Sequence, residues 1–361
     1  MNHEVQVRFG IILSTRRTPG ETDTEVLARS LALATCAEQL GIDDLWVTEH
    51  HFHPSIVSSS ALALASFLLG RTRRVHVGTA VTLLPLHSPV HVAEQGALLD
   101  QLSEGRFMLG VGRGTPSADY EAIGRGIDHW HGGLAESLDL TLAAWKGAVG
   151  ASSDLYAFRA VTPTPTPLTR CGPPLYVAAG SPATIEHAAS RGLPMLLNFD
   201  KSAETKAEMV AMHAKFAESA GKRGDGHRHA STLLTHVTES PSHVRDLMLA
   251  RARQLLEGAE RPPLLIDAPE PDTHPLDESR ISVVADRLLA TQPVGDVPTC
   301  VRQLVHEIRT TGCTRILFHV EFAEDPGDVH RSLHLLTSEV LPQVRLRLRA
   351  TSTVEREDRL A

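Results

Sequence analysis

The sequence predicts an α/β protein built as a closed (β/α)8 TIM barrel, and three observations point there. Short β-branched or Leu-rich runs alternate with longer helical patterns along most of the 361 residues, the signature of β/α units around a parallel sheet. Eight such runs are countable, which favours a closed barrel over an open doubly wound sheet. Apolar residues make up 42% of the chain against 22% charged, enough to bury a large core.

In chain order the strands are expected at residues 7–14, 44–48, 75–82 and 107–112, then 175–179, 195–199, 232–238 and 315–320. Amphipathic helices separate them. The first, 23–40, opens on an acidic turn at Asp23 and stops at Gly41; a later one takes Ser181 as its cap, Pro182 as its first helical residue and Gly192 as its end. Two stretches break the rhythm. Residues 160–174 hold Pro163, Pro165, Pro167, Pro173 and Pro174 and must run as an extended surface connection. Residues 258–280 carry five prolines among acidic residues and are expected as a mobile lid loop over the barrel mouth, with the next helix starting near Ile281. Residues 1–345 thus make one barrel domain, and the charged residues 346–361 a frayed tail.

Lys plus Arg total 35 against 43 Asp plus Glu, a formal charge of -8. That balance excludes a general footprint for nucleic acid or an anionic membrane. No apolar run approaches the ~20 residues that span a bilayer, and Met1-Asn2-His3-Glu4 lacks the regions of a signal peptide, so a cytoplasmic location is expected. Cys36, Cys171, Cys300 and Cys313 are scattered without a CxxC pair, as reduced thiols would be.

In (β/α)8 barrels the carboxyl ends of the strands hold the site. The second strand ends in Glu49-His50-His51, the fourth in Gly112-Arg113-Gly114, the fifth in Gly180-Ser181 with Thr184 following, and the eighth in His319 and Glu321. Gly180 to Thr184 puts backbone amides and two hydroxyls at a helix start, where the dipole favours an anion such as phosphate. Alone, the same string reads as an ordinary capped helix. Arg113, between glycines that permit close backbone approach, offers a planar fork to that phosphate unless a local carboxylate takes it. His50 is the candidate acid or base, because imidazole titrates near neutral pH and Glu49 or another acceptor can orient it; a satisfied structural donor is the plainer reading. His51 should point away from His50, toward a helix or a subunit contact.

The 20 histidines raise the question of metal. The run His50-His51-Phe52-His53 lacks a nearby Cys or a fixed helical face, His87 and His91 straddle Ser88-Pro89, and His227 and His229 lie in a Gly-rich charged turn. The first strand ends Leu13-Ser14-Thr15-Arg16 rather than in the HxH of a metal-dependent barrel hydrolase. No metal is expected.

The string Val47-Thr48-Glu49-His50-His51-Phe52, followed by Leu69-Gly70-Arg71-Thr72, resembles the bacterial luciferase family of flavin-dependent monooxygenases. Residues 77–85 (VGTAVTLLP), Pro89-Val90, Ala93-Glu94 and 99–107 (LDQLSEGRF) carry the likeness into Gly112-Arg113-Gly114. Residues 174–197, Pro293-Val294-Gly295, Gly312 and Leu341-Pro342 extend it over most of the chain in the right order.

The resemblance implies a barrel that takes reduced FMN from a separate flavin reductase, lets it react with dioxygen, and uses the resulting flavin hydroperoxide on a small organic substrate. It implies Arg113, Ser181 and Thr184 at the flavin phosphate with Gly180 beside them, and Ala80-Val81 beneath the isoalloxazine, often as a non-proline cis peptide. His50 matches the catalytic histidine, with Glu49 grouped at the cofactor. Phe199 and Glu321, with His319 beside them, are expected to line the substrate pocket. A homodimer built on the early helices is implied, with His51 and Glu94 near the contact. Gly112 stands where luciferases carry a reactive cysteine beside the flavin, and Gly180 where they carry an acidic residue near the phosphate. Light emission is therefore not expected, whereas flavin binding is retained. Two readings compete: a deazaflavin-dependent dehydrogenase or reductase, whose longer acidic cofactor calls for more basic residues at the mouth, and a non-catalytic flavin-binding subunit, against which His50 and Arg113 argue.

Overall fold

The computed structural model describes residues 6–222, 228–257, 264–265, 277–323 and 325–358. Eight strands form the barrel: β1 (Arg8–Leu13), β2 (Asp44–Val47), β3 (His76–Thr79), β4 (Phe107–Gly112), β5 (Leu175–Ala178), β6 (Met195–Leu197), β7 (Ala230–Leu234) and β8 (Arg315–His319). All neighbours pair in parallel, in the order β3-β2-β1-β8-β7-β6-β5-β4, and pairing of β3 with β4 closes the ring. The predicted barrel is the observed one. Helices between the strands cover its outside, and among the described residues none is long and apolar enough to cross a membrane.

Side chains alternate between two cores, as strand geometry requires. Phe9, Ile11, Leu45, Val77, Leu109 and Phe318 pack outward beneath the helices. Ile12, Trp46, Met108, Tyr176, Leu196 and Leu317 fill the lumen, with Ala80, Val81 and Ala178 packed above them. Trp46 is fully buried and meets Tyr176 edge-on at 5.4 Å between ring centroids. Gly78 makes the room: a Cβ there would stand 2.6 Å from the Trp46 indole. The plugged lumen is a floor to the mouth above it. At the opposite pole, a cavity of about 280 Å³ is lined by Arg8, Arg228, Arg315 and Tyr176, where Asp44 pairs with both Arg8 and Arg315.

Several boundaries differ from the sequence reading. The first helix is Asp23–Gln39, and its cap is Thr22, which forms a capping box with Glu25. The strand expected at 232–238 splits into β7 and the short pair His236–Val237 with Val294–Gly295. A hairpin of Val149–Ser152 and Ala157–Val161 lies outside the barrel and precedes the proline-rich connection. The helix expected near Ile281 starts at Glu278, capped by Asp277. Where the charge run suggested a frayed tail, the helix Leu341–Asp358 continues. Most of the expected lid, residues 258–263 and 266–276, lies outside the described residues. Leu264 bridges Ser117, and Leu265 donates its N–H to Pro116 O and is buried with Leu83, Leu86 and Tyr120.

Candidate active site

The site is built from the residues just past the strand ends. Ala80–Val81, following β3, is a non-proline cis peptide. Both residues are partly exposed toward the mouth and rest on the lumen core. Gly112, at the end of β4, lies against them: a Cβ there would meet Val81 Cγ2 at 2.8 Å and Ala178 Cβ at 3.3 Å. The result is a small, flat apolar shelf across the β3–β5 side of the mouth.

Arg113 comes next. Its guanidinium carbon lies 3.9 Å from the Trp130 ring centroid, a stacking cation–π contact. The loop is fixed by Tyr120 Oη, which donates to Arg113 O at 2.6 Å, and by Trp130 Nε1–H, which donates to Gly114 O at 3.0 Å. Among the described residues no carboxylate pairs with Arg113, so the local salt bridge that would have explained it is absent. Its charge reaches His187 on the helix Pro182–Ser190, whose pKa is lowered by burial, then Arg191, and also Arg113. The arginine and that helix therefore share one corner.

Ser181 caps the helix as expected, but its amides are not free. Gly180 N–H and Ser181 N–H each donate to Thr184 Oγ1 at 3.1 Å, and Thr184 N–H donates to Ser181 Oγ. The helix start is a closed capping box, with open space where a Gly180 Cβ would stand. An anion there would bind through exchangeable hydroxyl hydrogen bonds and Arg113 rather than through waiting amides. Shelf, glycine gap and uncompensated guanidinium together fit a flavin bearing one phosphate.

His50 lies at the end of β2, reachable from the mouth. Its N–H donates to Ser58 O at 2.9 Å, and its ring sits 5.8 Å from the His53 ring. His50 is solvent-exposed at the mouth, yet the protein packed around its ring, then the charges of His53 and Arg16, pull its pKa down to about 4. It is a neutral imidazole at pH 7. Glu49 does not orient it. The Glu49 side chain is fully buried in the wall, where Oε2 accepts from Ala61 N–H and Oε1 from Leu83 N–H, both at 3.0 Å, with His87 Nε2 at 2.7 Å. Burial pushes its carboxyl up, but His51, His87 and the N–H donors outweigh that and hold the pKa at about 2. Glu49, expected at the cofactor, is thus a tie between β2, the helix Ala61–Arg71 and the shelf segment.

His51 points away from His50, with Nε2 at 3.5 Å from Glu49 Oε1. Glu49, His51 and His87 form the group of potential metal ligands among the described residues, a combination matching none of the sequence clusters. Ion-pair and hydrogen-bond chemistry already accounts for its carboxylate.

On the far side, Phe199 and His319 meet edge-on at 5.0 Å between centroids, beyond β6 and at the end of β8. Glu321, expected in the pocket, does not join them. Its Oε2 accepts from Ser14 N–H at 2.6 Å and Thr15 N–H at 3.2 Å, and its Oε1 accepts from Ser30 Oγ at 2.6 Å and Arg29 Nη1 at 3.3 Å. A carboxylate so saturated closes the β1 loop and has no lone pair left for a substrate. Three residues at the site were not singled out from sequence: Trp130 under Arg113, His87 on Glu49, and Arg251, whose guanidinium lies 5.8 Å over the Phe199 ring. His87 had been noted only as a pair with His91; Trp130 and Arg251 sit in ordinary helical patterns with nothing local to mark them.

The mouth of the plugged parallel barrel thus combines an apolar shelf, an uncompensated arginine and a neutral histidine. The chain belongs to the luciferase-like monooxygenase family, which matches residues 7–315. It is 26% identical to the alkanal monooxygenase alpha chain of Photorhabdus luminescens over 356 residues, covering 93% of this chain and 97% of that one. Among solved structures it superposes with a TM-score of 0.75 on the oxygenating constituent of 3,6-diketocamphane monooxygenase from Pseudomonas putida, a type II Baeyer-Villiger enzyme in complex with FMN, at 18% identity over 94% of this chain and 98% of that one. An F420-dependent secondary alcohol dehydrogenase gives a TM-score of 0.74 at 18% identity, covering 94% of this chain and 99% of that one.

Proposed function

We propose that this chain is the oxygenating component of a two-component flavin monooxygenase that acts on a small organic substrate, emits no light, and receives reduced FMN from a separate flavin reductase. The observation that carries the reading is Arg113, a guanidinium without a carboxylate partner among the described residues, stacked on Trp130 at the same mouth as the Ala80–Val81 shelf. Arg113 with the Ser181 and Thr184 hydroxyls holds the phosphate. Ala80, Val81 and Gly112 seat the ring, and Gly180 leaves space for the backbone to come close. Bound reduced FMN, with dioxygen, supplies the oxygenating chemistry. His50, neutral at pH 7, takes a proton from the substrate or returns one, while the apolar lumen beneath excludes water. Gly112 presents no thiol to the ring, which supports the absence of light emission.

Arg113→Ala should weaken binding of reduced FMN by at least about tenfold, since a charge-assisted pair is typically worth ~1.5 to 3 kcal/mol. Unaltered affinity puts the phosphate elsewhere. The second reading, a deazaflavin-dependent dehydrogenase, is favoured by the likeness to the F420-dependent enzyme. Anaerobic turnover with a deazaflavin and none with reduced FMN plus oxygen would install it instead. Exposed Phe52, Phe67, Leu98 and Leu102 stand on or beside the helices Ala61–Arg71 and Pro89–Leu102, which supports a homodimer through these early helices. Sedimentation should give a dimer for the native chain and a monomer for Leu102→Glu; a monomeric native chain rejects this arrangement.

A further inference from the structure

Among the described residues the charges around the mouth do not balance. Its two buried carboxylates are already engaged, Glu49 by histidines and backbone N–H groups, Glu321 by Arg29, Ser30 and the β1 loop. Arg113 belongs to the phosphate corner. Arg251 is left. It descends from the helix Pro241–Glu257 onto Phe199, which packs against His319. In the ring of strands, β7 stands four places from β3, so this β6–β8 side of the mouth faces the shelf across the opening.

Arg251 has no carboxylate partner among the described residues. Nη1 donates to Gln254 Oε1 of its own helix at 3.2 Å, and Nε is buried with no hydrogen-bond partner among the described residues. Burial, followed by the charge of Arg16, drives the pKa down to about 10, which still leaves it protonated at neutral pH. A guanidinium kept partly desolvated beside an aromatic wall, with an orphaned donor, is costly to the fold unless something anionic arrives. The planar fork suits a carboxylate.

We propose that Arg251 is a specificity-determining residue that grips a carboxylate of the substrate, so that the molecule oxygenated is an organic acid with its apolar part against Phe199 and turned toward the shelf. This rests on the mouth being the substrate site, as the functional reading holds. The anion is held on the β6–β8 side of the mouth while the carbon to be attacked is turned toward the shelf.

The test is binding, without reduction or oxygen, so that it fails separately from the monooxygenase reading. The full chain loaded with FMN is titrated calorimetrically with linear acids from butyrate to dodecanoate, with benzoate and naphthoate, and with the primary amide of each. At least one acid should bind about tenfold or more tightly than its amide. Arg251→Gln should erase that preference while leaving FMN affinity within about twofold, and Arg251→Lys should keep part of it. The proposal falls if no acid outbinds its amide or if Arg251→Gln keeps the preference. It falls equally if Arg251→Gln weakens FMN by about tenfold, which would assign the guanidinium to the flavin.

Discussion

At His50 the decisive property is which protonation state it brings to the mouth. With a pKa near 4 it is neutral at pH 7, and in the proposed reaction it would act first as a proton acceptor. His50→Ala should therefore leave FMN affinity nearly unchanged, lower product formation by about a hundredfold or more, and raise hydrogen peroxide release. Unchanged coupling of oxygen use to product would remove His50 from the chemistry. The positions of His50, Arg113, Ser181 and Thr184 just past strand ends were legible in the sequence because each follows a strand run. Glu49 and Glu321 misled for a related reason. Strand-end position says where a Cα is, whereas the hydrogen-bond donors that capture a carboxylate come from residues far along the chain, such as Leu83 on Glu49 and Ser14 on Glu321.

Elements were easiest to read where burial is two-sided. The barrel strands are continuous apolar runs because both faces are covered, and their centres fell where expected. The hairpin Val149–Ser152 with Ala157–Val161 escaped because most of its residues are solvent-facing and its apolar signal is weak. The expected single strand at 232–238 breaks at Thr235, because Gln292 Oε1 takes the Leu234 N–H and the chain leaves the ring to pair with Val294–Gly295. What no pattern reveals is the fit of one strand to another inside the lumen. Gly78 on β3 yields its side-chain volume to Trp46 on β2, so Gly78→Ala forces a Cβ into the indole. Overpacking of this kind costs about 1–3 kcal/mol, which at this size should lower Tm by roughly 1–4 °C. Gly70→Ala, on the exposed face of its helix with open space around it, should melt at or above the native Tm. Equal melting of the two variants would mean the lumen is looser than Trp46 makes it.

For the molecule as a whole, the buried histidines decide how the fold meets acid. His229 is buried with Nδ1 accepting the Met195 N–H, and burial, then His213 and Arg228, lower its pKa to about 3. His319 is lowered to about 3 as well, by burial, then Arg251 and Lys206. Both would sit near 6.5 in the unfolded chain. Their folded pKa values are depressed, so the stability of the neutral state is complete above about 6.5 and is lost as pH falls from there toward 3. Each proton taken up on unfolding is worth about 1.4 kcal/mol per pH unit, so the pair approaches about 2.7 kcal/mol per unit in that window. Glu49, with its pKa near 2 against 4.5, adds a second loss that begins only below 4.5. Scanning calorimetry should therefore find Tm level from pH 8 to 7 and falling between pH 6.5 and 4.5, before any carboxylate explanation applies. His229→Asn, which keeps an acceptor for Met195 N–H but cannot titrate, should make that descent shallower by about a third at most, because His50 takes up its proton in the same window. A flat Tm down to pH 4.5 in the native chain would show that these imidazoles are not held neutral by the fold.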